Sequence, residues 1–352
     1  MHTKRMSAFD LVEVRSKDDI LRTLDQKGQL DGMPFMPEML KFCGMRFKVY
    51  KRAHKTCDTV FPIRGRRVDS SVHLDTRCDG AAHGGCQAGC LLFWKEAWLK
   101  PVDDNSSGRT EAPSKYPDAM FNAGCSESVV WVNTKDTRTD DEASVFVCQA
   151  TQLPAMTTNL NWWDIRQYIE DYRSLNVGMW HIFSGAIYST YYRIEHAGIG
   201  LGPTMRWLYD RFHNLWGGTL YPRHVGPIPM GQPTPVISLN LQPGELVRIK
   251  HHKEILRTLN NNSQNRGMYF DAESVPYCGG TYKVIRRVNR IINEQTGKIQ
   301  ELKTPCVILD SVFCQGRYSR CRMFCPRAIY QYWREIWLER VVPDPGGVSE
   351  HP

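Results

Sequence analysis

A chain of 352 residues with 41% apolar and 11% aromatic side chains can bury a sizeable core, and its length suits two or three structural units. It carries a formal net charge of +8, has no run of eighteen apolar residues, and opens on MHTKRMSAFDLVEVRS, which lacks the apolar stretch of a secretory signal. The expectation is a soluble cytoplasmic protein, in which twelve cysteines stay reduced and clusters of them serve metal binding or catalysis rather than disulfides.

The elements come in two matching sets. ILRTL stands at Ile20–Leu24 and again at Ile255–Leu259, 235 positions on. The same offset pairs Cys43-Gly44 with Cys278-Gly279, Arg52 with Arg287, Leu74-Asp75 with Leu309-Asp310, Cys86 with Cys321 and Cys90 with Cys325. A one-residue gap pairs Cys78 with Cys314, and a further shift pairs FWKEAWL at Phe93 with YWREIWL at Tyr332. Residues 11–102 and 244–342 are therefore two copies of one unit, with 103–243 between them. In the first copy VEVRS alternates like a half-buried strand, a polar connection runs to Cys43, and RFKVYKRAHK and SSVHLD supply further strands. The stretch from Val102, VDDNSSGRTEAPSK, reads as an exposed connection. After it come two or three helices, with Asn159 or Asn161 as N-cap and Gly217 near a C-terminus, then a proline-rich strap. The second copy follows with ELVRIK, a hairpin turning at Gln295-Thr296-Gly297, and TPCVILD.

The comparison of copies sorts the cysteines. Cys43, Cys78, Cys86 and Cys90 have counterparts in Cys278, Cys314, Cys321 and Cys325, whereas Cys57, Cys125, Cys148 and Cys306 have none. Four thiols per copy is what a tetrahedral zinc or a cubane cluster needs. The alternative is that they are small buried hydrophobes, which explains single positions better than a matched quartet. Cys86 and Cys90, like Cys321 and Cys325, lead into amphipathic runs; in a helix their i and i+4 thiols share a face, and Trp94, Trp98, Trp333 and Trp337 form its core side.

Several resemblances bear on fold and metal. Short strands with one long early loop resemble an SH3-like barrel, so the fold class expected is α+β: two SH3-like β-barrel units in tandem, each with a Cys-rich metal motif and a following helix, separated by a helical insertion. Cys-Gly at Cys43 and Cys278 resembles half of a zinc knuckle. An isolated cysteine followed by Cys-x6-7-Cys-x3-Cys resembles the four-iron clusters of nucleic-acid repair and exonuclease families, and FCP at Phe324–Pro326 resembles a ferredoxin ending. Two metal centres are expected, [4Fe-4S] slightly ahead of Zn2+. CDGAAH resembles the CDGSH signature, but the required upstream Cys-x-Cys is missing and His83 stands one residue too far. In layout the chain resembles uncharacterised bacterial proteins, which implies no activity.

Two functions follow. One is an iron-sulfur oxidoreductase or electron carrier of biosynthetic metabolism, served by an electron donor or a small-molecule substrate. In it the first centre is the reactive one, with Asp79 and His83 as proton-handling groups absent from the second loop. The other is a nucleic-acid-binding protein with zinc-stapled barrels. The copies carry +5 and +8 against −4 in the segment between, and Arg286, Arg287, Arg290, Arg317, Arg320, Arg322 and Arg327 offer a phosphate footprint unless they balance carboxylates or thiolates.

Overall fold

In LVEV (Leu11–Val14, β1) half-buried and buried positions alternate, so Val12 and Val14 enter the core. β1 pairs antiparallel with Arg46–Arg52 (β2), β2 with Ser71–Arg77 (β3), and β3 with Leu91–Lys95 (β4), while Leu99–Pro101 (β5) closes the other side of β1. The order is thus β4-β3-β2-β1-β5. The second copy repeats it in Leu246–Ile249 (β6), Thr281–Arg287 (β7), Cys306–Phe313 (β8), Tyr330–Arg334 (β9) and Leu338–Arg340 (β10), ordered β9-β8-β7-β6-β10. Even the irregularities recur: register shifts fall between Val49 and Lys51 and between His73 and Arg77, and again between Val284 and Arg286 and between Ile308 and Phe313. Bulges bend a strand and increase its twist, and both sheets curl into half-barrels. The computed structural model describes residues 5–60, 63–102, 124–136, 144–198, 200–319 and 321–341; the connection expected from Val102 lies almost wholly outside them, as does Arg320.

The runs expected as helices after each cysteine loop are not helical. Leu91–Lys95 is a strand, Glu96–Trp98 one turn of 3-10 helix and Leu99–Pro101 a strand again, and Tyr330–Arg340 follows the same course. A strand position plus a tight turn returns a residue to the same side after four steps, so Trp94 and Trp98 both point inward without a helix. Phe35 meets them edge-on at 6.4 and 5.3 Å, and Phe270 meets Trp333 and Trp337 at 6.2 and 5.4 Å. Each second indole donates to a threonine hydroxyl, Trp98 to Thr23 at 3.0 Å and Trp337 to Thr258 at 2.9 Å.

The chain forms two compact units. Unit 1 takes the residues up to Pro203 together with Arg290–Glu301 and Gln315–Ile329; unit 2 takes Thr204–Asn289, Leu302–Cys314 and the chain from Tyr330. The hairpin of the second copy (Arg290–Ile292 with Ile299–Glu301) and its cysteine loop thus belong to unit 1, so the unit expected over 244–342 is drawn across both. Unit 1 also holds the helices Arg166–Arg173 and Met179–Glu195, with Ile165 and Gly178 at the N-cap positions. Asn159 instead lies in a strand (Thr158–Leu160) against Arg64–Arg67, and Asn161 accepts from the Asp164 amide in a turn. Gly217 does end the helix Gly202–Trp216, at φ +71°. Among the described residues no helix is long and apolar enough to cross a membrane.

A buried ion pair fastens the cysteine loop of the second copy into unit 1. Lys55 is 3% exposed; its ammonium donates to Asp171 at 2.5 Å and to the Met323 carbonyl at 2.8 Å, and lies over the rings of Tyr168 and Phe324. Lys55→Met strands the fully buried Asp171 carboxylate and should cost about 3–5 kcal/mol in denaturant unfolding, whereas Lys55→Met with Asp171→Leu should recover most of that loss. Equal destabilisation by the single and double variants would contradict this role for the pair.

Candidate metal centre

The loop between β3 and β4 is closed at its base by the Cys78 amide, which donates to the Cys90 carbonyl at 2.9 Å. Inside it the amides of His83 and Gly85 both donate to the Gly80 carbonyl at 3.0 Å, and the Cys86 amide donates to the His83 carbonyl at 3.2 Å. Gly80 sits at φ +74°, and a Cβ there would fall 2.0 Å from the Cys86 carbonyl oxygen, so only glycine fits. Cys86 and Cys90 therefore stand in a glycine-shaped loop and not on one face of a helix.

Cys78, Cys86 and Cys90 line a cavity of about 30 Å³ together with Cys148, which the sequence comparison left unpaired, and with His83 and Arg327. That is larger than a single water requires. None of the twelve cysteines forms a disulfide. Burial pushes the Cys90 thiol up to about 12 and the Cys148 thiol to about 11, and lifts Cys78 well above its ordinary value. The sulfurs feel one another: Glu38, Cys90 and Cys148 raise Cys78 further, while Cys148 and Cys86 add to Cys90. Four bare thiolates cannot share such a space, but a soft cation can take the place of their protons. Cys86 Sγ already accepts the Ile292 amide at 3.3 Å from the second copy's hairpin.

His83 is 1% exposed, and both of its ring nitrogens are engaged. Nε2 lies 3.0 Å from the Val147 carbonyl, which only accepts, so Nε2 carries a proton; Nδ1 lies 2.6 Å from Glu38 Oε1. Glu38 Oε1 also accepts the Ala82 amide at 3.0 Å, whereas Glu38 Oε2 is buried without a hydrogen-bond partner. Donor atoms of Glu38, Cys78 and His83 lie within 4.8 Å of one another, the one such group of three among the described residues. The imidazole thus bridges Glu38 to the residue before Cys148 and positions that thiol. Asp79, expected beside it as a second proton-handling group, is half-exposed, pairs with Lys41 at 2.6 Å and does not line the cavity.

The remaining expected ligands fall elsewhere. Cys43 is the C-cap of the turn Pro37–Phe42 and is followed by Gly44 at φ +77°; it does not line the cavity. Cys278 caps Ala272–Tyr277 in the same way, with Gly279 at φ +84°, and burial pushes its thiol up to about 12. Cys314 belongs to unit 2 with Cys278, whereas Cys321 and Cys325 belong to unit 1. Of the arginines read as a phosphate footprint, Arg287 bonds Glu335 at 2.9 Å, Arg290 pairs with Glu301 at 3.0 Å, and Arg327 is buried against Glu294 at 2.7 Å.

No protein-family model, no curated protein and no solved structure matches the chain. Its function is therefore argued from these side chains alone.

His83→Ala leaves the buried Glu38 carboxylate without its partner and should cost about 3–5 kcal/mol of stability, with faster labelling of Cys148 by a thiol reagent. His83→Gln, which keeps a donor, should cost less. Unchanged stability and labelling in His83→Ala would remove the positioning role.

Proposed function

We propose that Cys78, Cys86, Cys90 and Cys148 hold a thiolate-ligated metal centre, a four-iron cluster in preference to one zinc ion, and that the protein works in redox or electron-transfer chemistry. The observation that carries this is the convergence of four half-buried cysteines from two separate segments on one cavity. A single zinc with Zn–S near 2.3 Å draws its four sulfurs to about 3.8 Å from one another. Among the described residues no three cysteine sulfurs gather within 4.8 Å, wider than one zinc would hold them, and the group that does gather is Glu38, Cys78 and His83. When bound, such a cluster supplies a one-electron carrier whose potential is tuned by charge, burial and hydrogen bonds to sulfur.

The protein's own groups favour that use. The Ile292 amide at Cys86 Sγ and the Arg327 guanidinium lining the cavity both stabilise added negative charge. Glu38 and His83 hold the segment that presents Cys148. Twelve cysteines without a disulfide suit a reducing compartment such as the cytoplasm, and the two curled sheets support an SH3-like barrel for each copy. An electron-donor protein or a small-molecule substrate is the partner this reading requires. The nucleic-acid reading is weaker, since Arg287, Arg290 and Arg327 are matched by carboxylates of the chain itself.

Anaerobically purified protein should contain iron and acid-labile sulfide in equal amounts, with a visible absorption that bleaches on reduction. Cys148→Ser should lose the iron of this centre, and Cys43→Ser should keep it. Zinc in place of iron would overturn the cluster, and folded, metal-free wild-type protein would overturn the centre altogether.

A further inference from the structure

The loop after Cys314 shares two left-handed backbone positions with the first cysteine loop. Gly316 at φ +64° stands where Gly80 stands at φ +74°, and Phe324 at φ +60° stands where Gly89 stands at φ +61°, in each case one residue before the last cysteine. For glycine this backbone is free of strain; for phenylalanine it is strained by about 1–3 kcal/mol, and Ala328 at φ +43° adds a second instance. Such strain persists only where the surroundings over-determine it.

Here the surroundings converge on a strand of the first copy, Lys55–Asp58. Lys55 donates to the Met323 carbonyl at 2.8 Å, two residues before Cys325, and Arg327, two residues after it, donates to the Cys57 carbonyl at 3.2 Å and to Glu294 at 2.7 Å. Cys57 lies opposite Gly65 in the hairpin, so their side-chain positions share a face. A Cβ on Gly65 would stand 3.0 Å from the Cys321 carbonyl oxygen; the missing side chain is the room in which that segment sits. Cys57 is 1% and Cys325 5% exposed, and the Cys325 side chain lies close enough to lower the pKa of the Cys57 thiol. Cys321 is half-buried at the start of the same segment.

We propose that Cys57, Cys321 and Cys325 are ligands of a second thiolate metal centre inside unit 1, in which the first copy lends Cys57 to the loop of the second. The donor set is soft, with Cys57 and Cys325 buried and Cys321 half-buried, and is drawn from two strongly held segments; like the first set it suits an iron-sulfur cluster. It parallels the first centre, where the outside thiol is Cys148. The assignment replaces Cys278, the expected partner of Cys321 and Cys325, which lies in unit 2.

The test is the metal content of the anaerobically purified full-length chain and its variants, with sulfide assay and electron paramagnetic resonance of the reduced protein. Cys57→Ser and Cys325→Ser should each remove about half of the wild-type metal, the double variant should remove no more than either alone, and Cys278→Ser should remove none. Gly65→Val, which fills the room for the Cys321 segment without touching a thiol, should lower the same half. Full metal in a folded Cys57→Ser protein would overturn the proposal, as would a Cys57–Cys325 disulfide found by mass spectrometry of unreduced protein. Loss of metal in Cys148→Ser alone would leave the first centre standing and sink only this one; metal-free wild-type protein would sink both.

Discussion

A guanidinium taken out of water must find compensating charge nearby, and several kcal/mol hang on whether it does. Arg327, 3% exposed, meets that requirement by reaching three places at once. It pairs with Glu294 from the hairpin of the second copy, donates to the Cys57 carbonyl of the first, and lines the cavity that Cys78, Cys86, Cys90 and Cys148 share. Glu294, Cys57 and Cys90 hold its charge well above the already high value of an arginine, against the cost of burial. Lys55 pairs its buried ammonium with Asp171, although burial outweighs that carboxylate and lowers the pKa of the ammonium. These two cations explain why unit 1 is incomplete without two segments from beyond residue 289.

Much of this was legible because duplication leaves a register. The 235-residue offset located both five-stranded sheets, and even the bulges follow it, since a bulge is fixed by the same backbone geometry in either copy. The tryptophans were read rightly as core and wrongly as helix. A spacing of four cannot by itself distinguish a helix from a strand entering a 3-10 turn, and here the open edge of β3 took the segment as its partner. Asn159 failed as a cap for a similar reason: its segment was claimed by the strand Arg64–Arg67.

The same method named Cys43 and Cys278 as the fourth ligands, and in the structure Cys43 does not line the cavity of the other three. Pairing between copies preserves whatever both need, and both need a turn at Cys43-Gly44 and Cys278-Gly279, where a left-handed glycine follows a helical cap. The shared turn by itself accounts for the match. Cys57 and Cys148 were set aside because they lack counterparts, yet each is carried by a segment that meets a cysteine loop only after folding. Glu38 was equally hidden, forty residues from Cys78 and marked by no motif.

On the proposed ligand sets a duplicated loop supplies some but not all of the thiols, and each copy would draw the remainder from different surroundings. The first cavity is edged by a carboxylate and an imidazole, Glu38 and His83, with one oxygen of Glu38 unpaired. The second set of thiols lies between Lys55 and Arg327. Nearby positive charge favours the more negative, reduced state of a thiolate-ligated centre, and a carboxylate paired with an imidazole favours it less. If both sets hold metal, two sites built on related loops would take different potentials from the residues that complete them. Arg327, within electrostatic reach of both Cys57 and Cys90, acts on the two together, and its partner Glu294 acts on both with the opposite sign.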